Sequence, residues 1–286
     1  EITYGDWSSD VCSSDLRTAG VFVEATTVAE RIDNPRSLSY ATGYLGRLYE
    51  SERRYDEALH LTRRAVFAAQ AAKVKLLIDE RWGAQTRDFT WIRARLERDA
   101  DVQVASIAMG GLLVKQTIEV LMEGEGSSSG IRAVALGDAD QHFDFVTLQD
   151  HVGPSTSSVV EVKSALAGAS RQAYYGVTRV SETAKGADAD QTNRNLLISG
   201  ESKADSDPVL EILTADVVRC GHHAAVGPVD PEALFYLESR GLDMRGALQQ
   251  LIAGFFHSVV SEAGTPGLDE DELTERVQAK LATAAL

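Results

Sequence analysis

A chain of 286 residues with 43 acidic and 28 basic side chains, a formal net charge of −15, shows no basic stripe on which nucleic acid could be held. Apolar residues make up 44% of it, enough for a real core, and the length fits about two domains. No apolar run approaches the ~18 residues that cross a bilayer and no secretory segment opens the chain, so a soluble protein with neither nucleic-acid nor membrane partners is expected.

The two cysteines, Cys12 and Cys220, lie far apart in unlike surroundings, which is no disulfide framework and points to a reducing, cytoplasmic compartment. Residues 1–16, EITYGDWSSDVCSSDL, repeat SSD around Cys12 without apolar periodicity and resemble cloning or sequencing read-through rather than a folded element. Residues 17–71 carry a helical pattern. Within YLGRLYESERRYDEALHLTRRA, the spacing of Leu45, Gly46, Tyr49, Tyr55, Ala58 and Ala65 resembles a tetratricopeptide repeat, with Thr42 where that family usually has tryptophan. It amounts to about one and a half repeats, fewer than the roughly three that make a stable array, so a helical fragment rather than a peptide-binding module is expected.

The texture changes after Ala71. The runs DVQVASIAM, KQTIEVLM, IRAVALG, FDFVTLQD, SSVVEVKSAL, AYYGVTRV, NRNLLIS and LEILTADVVRC each have the length of one strand and end in Gly, Ser, Asp, Asn or Pro. No helical segment separates them, which disfavours a doubly wound sheet and leaves a sandwich, a barrel or a solenoid. Beyond Gly227 the pattern is helical again. Asp230 and Pro231 suit an N-cap and first turn, Gly241 a stop, and Asp243 the cap of a second helix. In that helix Leu248, Leu251, Ile252, Phe255, Phe256 and Val259 form one apolar stripe that either caps the β body or docks a partner. A third helix is expected near the acidic residues 269–272, with Leu273, Val277 and Leu281 on one face.

VVRCGHHAAVG holds the chemistry. On a strand Cys220 and His222 share a face, with Cα atoms roughly 6.5–7 Å apart, while Arg219 and His223 take the other. A thiolate and an imidazole can approach one ion, but zinc needs three or four ligands, and nothing in the spacing of His142 or His151 brings them here. Three readings stand: a small buried thiol beside a satisfied histidine, a thiol- or metal-dependent enzyme using Cys220 and His222, or half of a site shared with a second chain. The glycine pairs at 110–111 and 124–126 lack the context of a phosphate loop, and GDADQHFD lacks the spacing of a calcium loop.

From about residue 73 the chain resembles the SufB/SufD family of the SUF iron–sulfur cluster assembly system. ALGDADQHFDFVTLQDHVGP, DADQTNRNLLISGESKADSDPVLEI, DVVRCGHHAAVGPVDPEALFYLESRG and ALQQLIAGFF carry the likeness in order. The Cys-x-His at Cys220 and His222 is closer to SufD than to SufB, whose chains tend to have glutamate where His223 stands and further cysteines upstream. The resemblance implies a right-handed parallel β-helix over residues 72–227 followed by a helical region over 228–286. It further implies a non-catalytic scaffold that pairs with SufB and docks the SufC ATPase through its carboxyl-terminal helices, the Leu248–Val259 stripe included. Cys220 and His222 would then help hold a transient iron–sulfur cluster at the subunit interface. A reduced flavin is associated with such complexes, and no residue here places it. Residues 17–71 do not resemble the family's amino-terminal region, so a chimeric join near Ala71 is expected, giving an N-terminal α-helical hairpin segment ahead of a mainly β body.

Overall fold

The computed structural model describes residues 59–263 and 270–284. Twelve strands alternate between two sheets: β1 Leu59–Ala68, β2 Lys73–Glu80, β3 Arg87–Leu96, β4 Asp101–Ala108, β5 Leu113–Met122, β6 Ser128–Gly137, β7 His142–His151, β8 Ser157–Leu166, β9 Arg171–Val180, β10 Ala187–Leu197, β11 Lys203–Ile212 and β12 Val217–Pro228. Odd strands form one six-stranded sheet and even strands the other. Pairing is parallel throughout, as in Arg87↔Leu113 and Ser128↔Ser157. The chain is therefore a parallel β-solenoid of about six turns. Of the three architectures that alternation left open, this one is found.

Side chains at every second position turn inward, and in the early turns most of them are apolar. Ile92, Leu96, Ile118, Val120, Met122 and Ile131 are fully buried between the sheets. At about 1.5–3 kcal/mol for each buried large aliphatic side chain, these stacks offset the cost of ordering the strands. One corner repeats a left-handed backbone at Ala71, Asp99, Gly126, Ser155 and Gly186, with φ from 55° to 71°. Each of these N–H groups donates to the carbonyl one turn further on, at Arg98, Glu125, Pro154, Lys185 and Asp216, at 2.7–3.0 Å. The strain of three non-glycine residues there is held by this ladder.

The helical expectation fails over residues 59–68, which are strand β1. Leu59–Ala68 pairs in register with Arg87–Leu96, burying Ala68 and packing Val66 on the core. The free edge of β3 offers ten residues of backbone pairing, and that tertiary partner overrides local helical propensity. The ladder also crosses the supposed join without a break, since the N–H groups of Ala71 and Asp101 donate to Arg98 and Ala72 carbonyls. The rest of the helical hairpin expected over residues 17–71, and the tail at 1–16, lie outside the described residues.

Three helices follow: α1 Pro231–Ser239, α2 Met244–Ala263 and α3 Glu270–Thr283. Asp230 caps α1 by accepting from the Glu232 N–H at 2.9 Å, and Asp243 accepts from the Gly246 N–H at 2.8 Å. Gly241, at φ 97°, turns the chain between them. α2 and α3 lie on the outer surface of the even-strand sheet, where Ile107, Val134, Leu136, Ala165 and Ala167 meet Ile252, Phe256, Val259, Leu273, Val277 and Leu281. One buried and two partly buried cations fix them. Lys163 donates to the Phe255 carbonyl at 2.9 Å and pairs with Glu161 at 3.0 Å. Lys280 donates to the Met109 carbonyl at 2.6 Å and pairs with Asp138 at 3.0 Å, and Arg276 pairs with Asp79 at 2.8 Å.

The first turns also bury two carboxyls. Asp88 and Glu80 are shielded from water beside each other; Thr90 donates to Asp88 at 2.9 Å and Gln116 to Glu80 at 3.1 Å. Burial pushes the Asp88 carboxyl from 3.8 up to about 8, with the Glu80 charge adding to it, and burial raises Glu80 too. Between those values the folded chain keeps a proton that the unfolded chain has released. This contribution is thus whole below about pH 4 and is lost as pH rises through about 8. Asp88→Asn keeps a neutral hydrogen-bonding group without the titration. Thermal unfolding at pH 5 and pH 8 should show the parent chain losing several degrees over that interval and D88N losing distinctly less, on the order of half.

Candidate functional site

β12 is the last strand of its sheet: one edge pairs with β10 and the other has no partner among the described residues. Cys220 lies opposite Ala189 and His222 opposite Gln191. Ala189 and Gln191 are fully buried inward-facing residues, so Cys220 and His222 extend the solenoid's inner face onto its final, uncovered turn. Arg219 and His223 take the outer side. Arg219 pairs with Asp188 at 3.0 Å, and the His223 Nε2 lies 3.6 Å from Asp190. The alternation read from the sequence is the alternation found.

Cys220 is half-buried against Val180, Ala184 and Ala187, whereas His222 is exposed. Burial pushes the thiol above its usual range and the nearby Asp188 charge adds to this, with a backbone hydrogen bond at Ala189 opposing them. Among the described residues no third His, Cys, Asp or Glu joins the pair to make a metal-holding group. His151 is held inside the solenoid, its Nδ1 2.8 Å from the Thr156 hydroxyl and its Nε2 2.8 Å from that of Ser158. Burial lowers its pKa to about 4, which keeps it a neutral structural residue. His142 is on the outer face at the start of β7.

Beneath the pair the interior is polar, which sequence reasoning missed. Gln191 donates to the Gly176 carbonyl at 3.1 Å and accepts from Thr178 at 2.9 Å. Further along β10, Asn195 donates to Asn193 at 2.7 Å and accepts from Ser164 at 2.6 Å, while Asn193 donates to the Val162 carbonyl at 3.1 Å. The signal was present: Gln191, Asn193 and Asn195 alternate along one strand at the positions that apolar residues hold in the earlier turns.

The stripe expected to dock a partner is occupied by the protein itself. Leu248, Ile252, Phe256 and Val259 are buried, and Leu251 and Phe255 are half-buried. The apolar outer surface of β4, β6 and β8 covers this stripe within the chain. Exposed apolar side chains gather instead at the last turn and on α1. They include Ile212, Leu213, Val218 and Val226 around the free strand edges, then Phe235, Tyr236, Leu242 and Met244. Val218 is 72% exposed and Phe235 71%, and α1 buries no residue.

Comparison with known proteins gives a domain described as the SUF system FeS cluster assembly SufBD core, which matches residues 32–255. An iron–sulfur cluster assembly SufBD family protein of Mycobacterium tuberculosis (strain ATCC 25618 / H37Rv) is 31% identical over 207 residues, covering 70% of this chain and 52% of the relative. One from Mycobacterium leprae (strain TN) is 32% identical over 207 residues, covering 70% and 53%. A third, from Mycobacterium bovis (strain ATCC BAA-935 / AF2122/97), is 29% identical over 207 residues, covering 72% of this chain and 24% of that protein. The chain thus spans about half the length of the first two relatives or less of the third.

The raised thiol makes a chemical prediction. In a chain whose Cys12 is replaced by serine, alkylation of Cys220 by iodoacetamide should be slow at pH 7.5. It should reach half its limiting rate at a pH above the 9.0 of an ordinary cysteine. A midpoint below 8 would mean that the Cys220 thiolate is stabilised by its surroundings.

Proposed function

Because the chain belongs to the SufBD core family of the SUF iron–sulfur cluster assembly system, we propose that it is a non-catalytic scaffold subunit that presents half of a cluster-holding site. The observation that carries this reading is the position of Cys220 and His222 on the inward face of the last, exposed strand, with no third ligand among the described residues. Thiolate and imidazole are ligands suited to iron, and a closed coordination shell needs more of them than this strand supplies. A SufB-like scaffold would add its own groups by seating against the β11–β12 end, where unpaired strand edges and exposed Val218 and Val226 offer both backbone pairing and apolar contact. The iron–sulfur cluster is then cargo held transiently between two chains. The residues described here place no flavin.

The SufC ATPase is assigned to the carboxyl-terminal helices, as the resemblance implied, but to α1 in place of the α2 stripe. Phe235 and Tyr236 stand exposed on a helix that buries none of its own residues, whereas the stripe is used within the chain. No described helix is long and apolar enough to cross a membrane, in keeping with a cytoplasmic assembly. A thiol enzyme built on Cys220 and His222 has less support, because it needs a third group from this chain and no further His, Cys, Asp or Glu gathers with the pair among the described residues.

Co-expression of the chain with a SufB-like scaffold and a SufC ATPase, followed by size-exclusion chromatography and iron and sulfide analysis, tests each part. The double variant Cys220→Ala, His222→Ala should keep the complex and lose most of its bound iron and sulfide. Phe235→Ala, Tyr236→Ala should keep the scaffold partner and lose the ATPase. Undiminished iron and sulfide in the first variant would remove the pair from the site.

A further inference from the structure

The outer face of the odd-strand sheet carries a feature that cluster holding by Cys220 and His222 on β12 does not use. Arg87, His142, Arg171 and Lys203 all occupy the first position of their strands, and the register stacks them: Arg87↔Leu113, Leu113↔His142, His142↔Arg171, Arg171↔Lys203. First positions in this sheet face outward, since the second positions Asp88, Val114, Phe143 and Gln172 are buried. Three arginine or lysine side chains and a histidine thus share one column, with Leu113 between Arg87 and His142, on a chain whose net charge is −15.

None of the four makes an ion pair with a described residue. Asp144 lies on the same face but is taken by Lys115, and Asp140, Glu201 and Asp205 pair with none of the column. Like charges directly opposite one another on neighbouring strands are destabilising. Arg171 lies directly opposite Lys203, so the fold carries this repulsion in an arrangement that a single acidic residue at 171 would relieve.

We propose that the column Arg87, His142, Arg171 and Lys203 is a docking ridge for an acidic-faced α-helix of a partner protein. The spacing selects the helix. Adjacent strands step by about 4.8 Å, so the ridge runs about 19 Å from β3 to β11. A helix with one carboxylate per turn on one face presents charge every ~5.4 Å, which follows the consecutive strands β7, β9 and β11 and reaches Arg87 one further turn past Leu113, and flexible arginine and lysine side chains absorb the small mismatch. Such a helix needs only about 13 residues to cover the ridge. Nucleic acid, by contrast, would bring a long polyanion against the strongly acidic remainder of the surface.

The test uses the full chain and two synthetic helical peptides, one with glutamate at every fourth position and one with glutamine at the same positions, measured by fluorescence anisotropy at low and moderate salt. The glutamate peptide should bind at least tenfold more tightly than the glutamine peptide, and more weakly as salt rises. Arg171→Glu with Lys203→Glu should abolish that preference. Lys73→Glu with Arg194→Glu, the same change in net charge on the other sheet, should leave it within about twofold. The single variant Arg171→Glu should also melt at a higher temperature than the parent, a readout of relieved repulsion that excludes loss of binding through misfolding. Equal binding of both peptides, or equal loss from both charge reversals, overturns the proposal.

Discussion

Each turn of this solenoid satisfies its backbone N–H and C=O groups only through the turn before it and the turn after it. Parallel pairing adds one strand to each sheet per turn, so among the described residues the stack ends on edge strands whose outer groups no further strand pairs. Unpaired strand edges are a hazard for aggregation unless something covers them. Here the carboxyl-terminal edge is β11 and β12, and the chain places its one described cysteine there. On the proposed reading, the need for an edge partner and the need for further metal ligands fall on the same strand.

The helical tail shows how the same chain closes another exposed surface by itself. The outer surface of β4, β6 and β8 is apolar at one end, and α2 and α3 cover it, with Lys163 and Lys280 as tethers that satisfy carbonyls of helix and corner. After α2 is used in this way, α1 remains as the helix with free aromatic surface. The interior changes along the axis as well, from stacked Ile, Val and Met in the early turns to a hydrogen-bonded run of Gln191, Asn193 and Asn195 beneath β12. A hydrogen-bonded polar floor is rigid, which suits the proposed role of β12 in holding Cys220 and His222 in a fixed relation.

Much of this was legible in the residues. Strand lengths, polar corners and the face shared by Cys220 and His222 follow from alternation alone, and Asp230, Gly241 and Asp243 mark the helix boundaries as expected. Alternation could not choose the solenoid, because sandwiches, barrels and solenoids share short strands; the choice lies in pairing between residues 26 to 32 apart, from Arg87↔Leu113 to Arg171↔Lys203. Leu59–Ala68 misled because its apolar spacing also fits a helix, and only the edge of β3 decides it. LEILTADVVRC reads as one run but breaks at residues 213–216, where the chain turns from one sheet to the other. The stripe of α2 was expected to dock a partner; that the protein's own sheet occupies it is a tertiary fact that periodicity does not contain.

Hydrogen–deuterium exchange, followed on the full chain alone and with a SufB-like scaffold added, tests most directly whether the last turn is completed by a second chain. The account predicts that the β12 amides, residues 217–227, exchange quickly in the isolated chain and are strongly protected in the complex. Those of the internal strand β6 should be slow in both. A complex that forms while β12 exchanges as fast as before would contradict it, and Cys220 and His222 would then have to be explained within this chain alone.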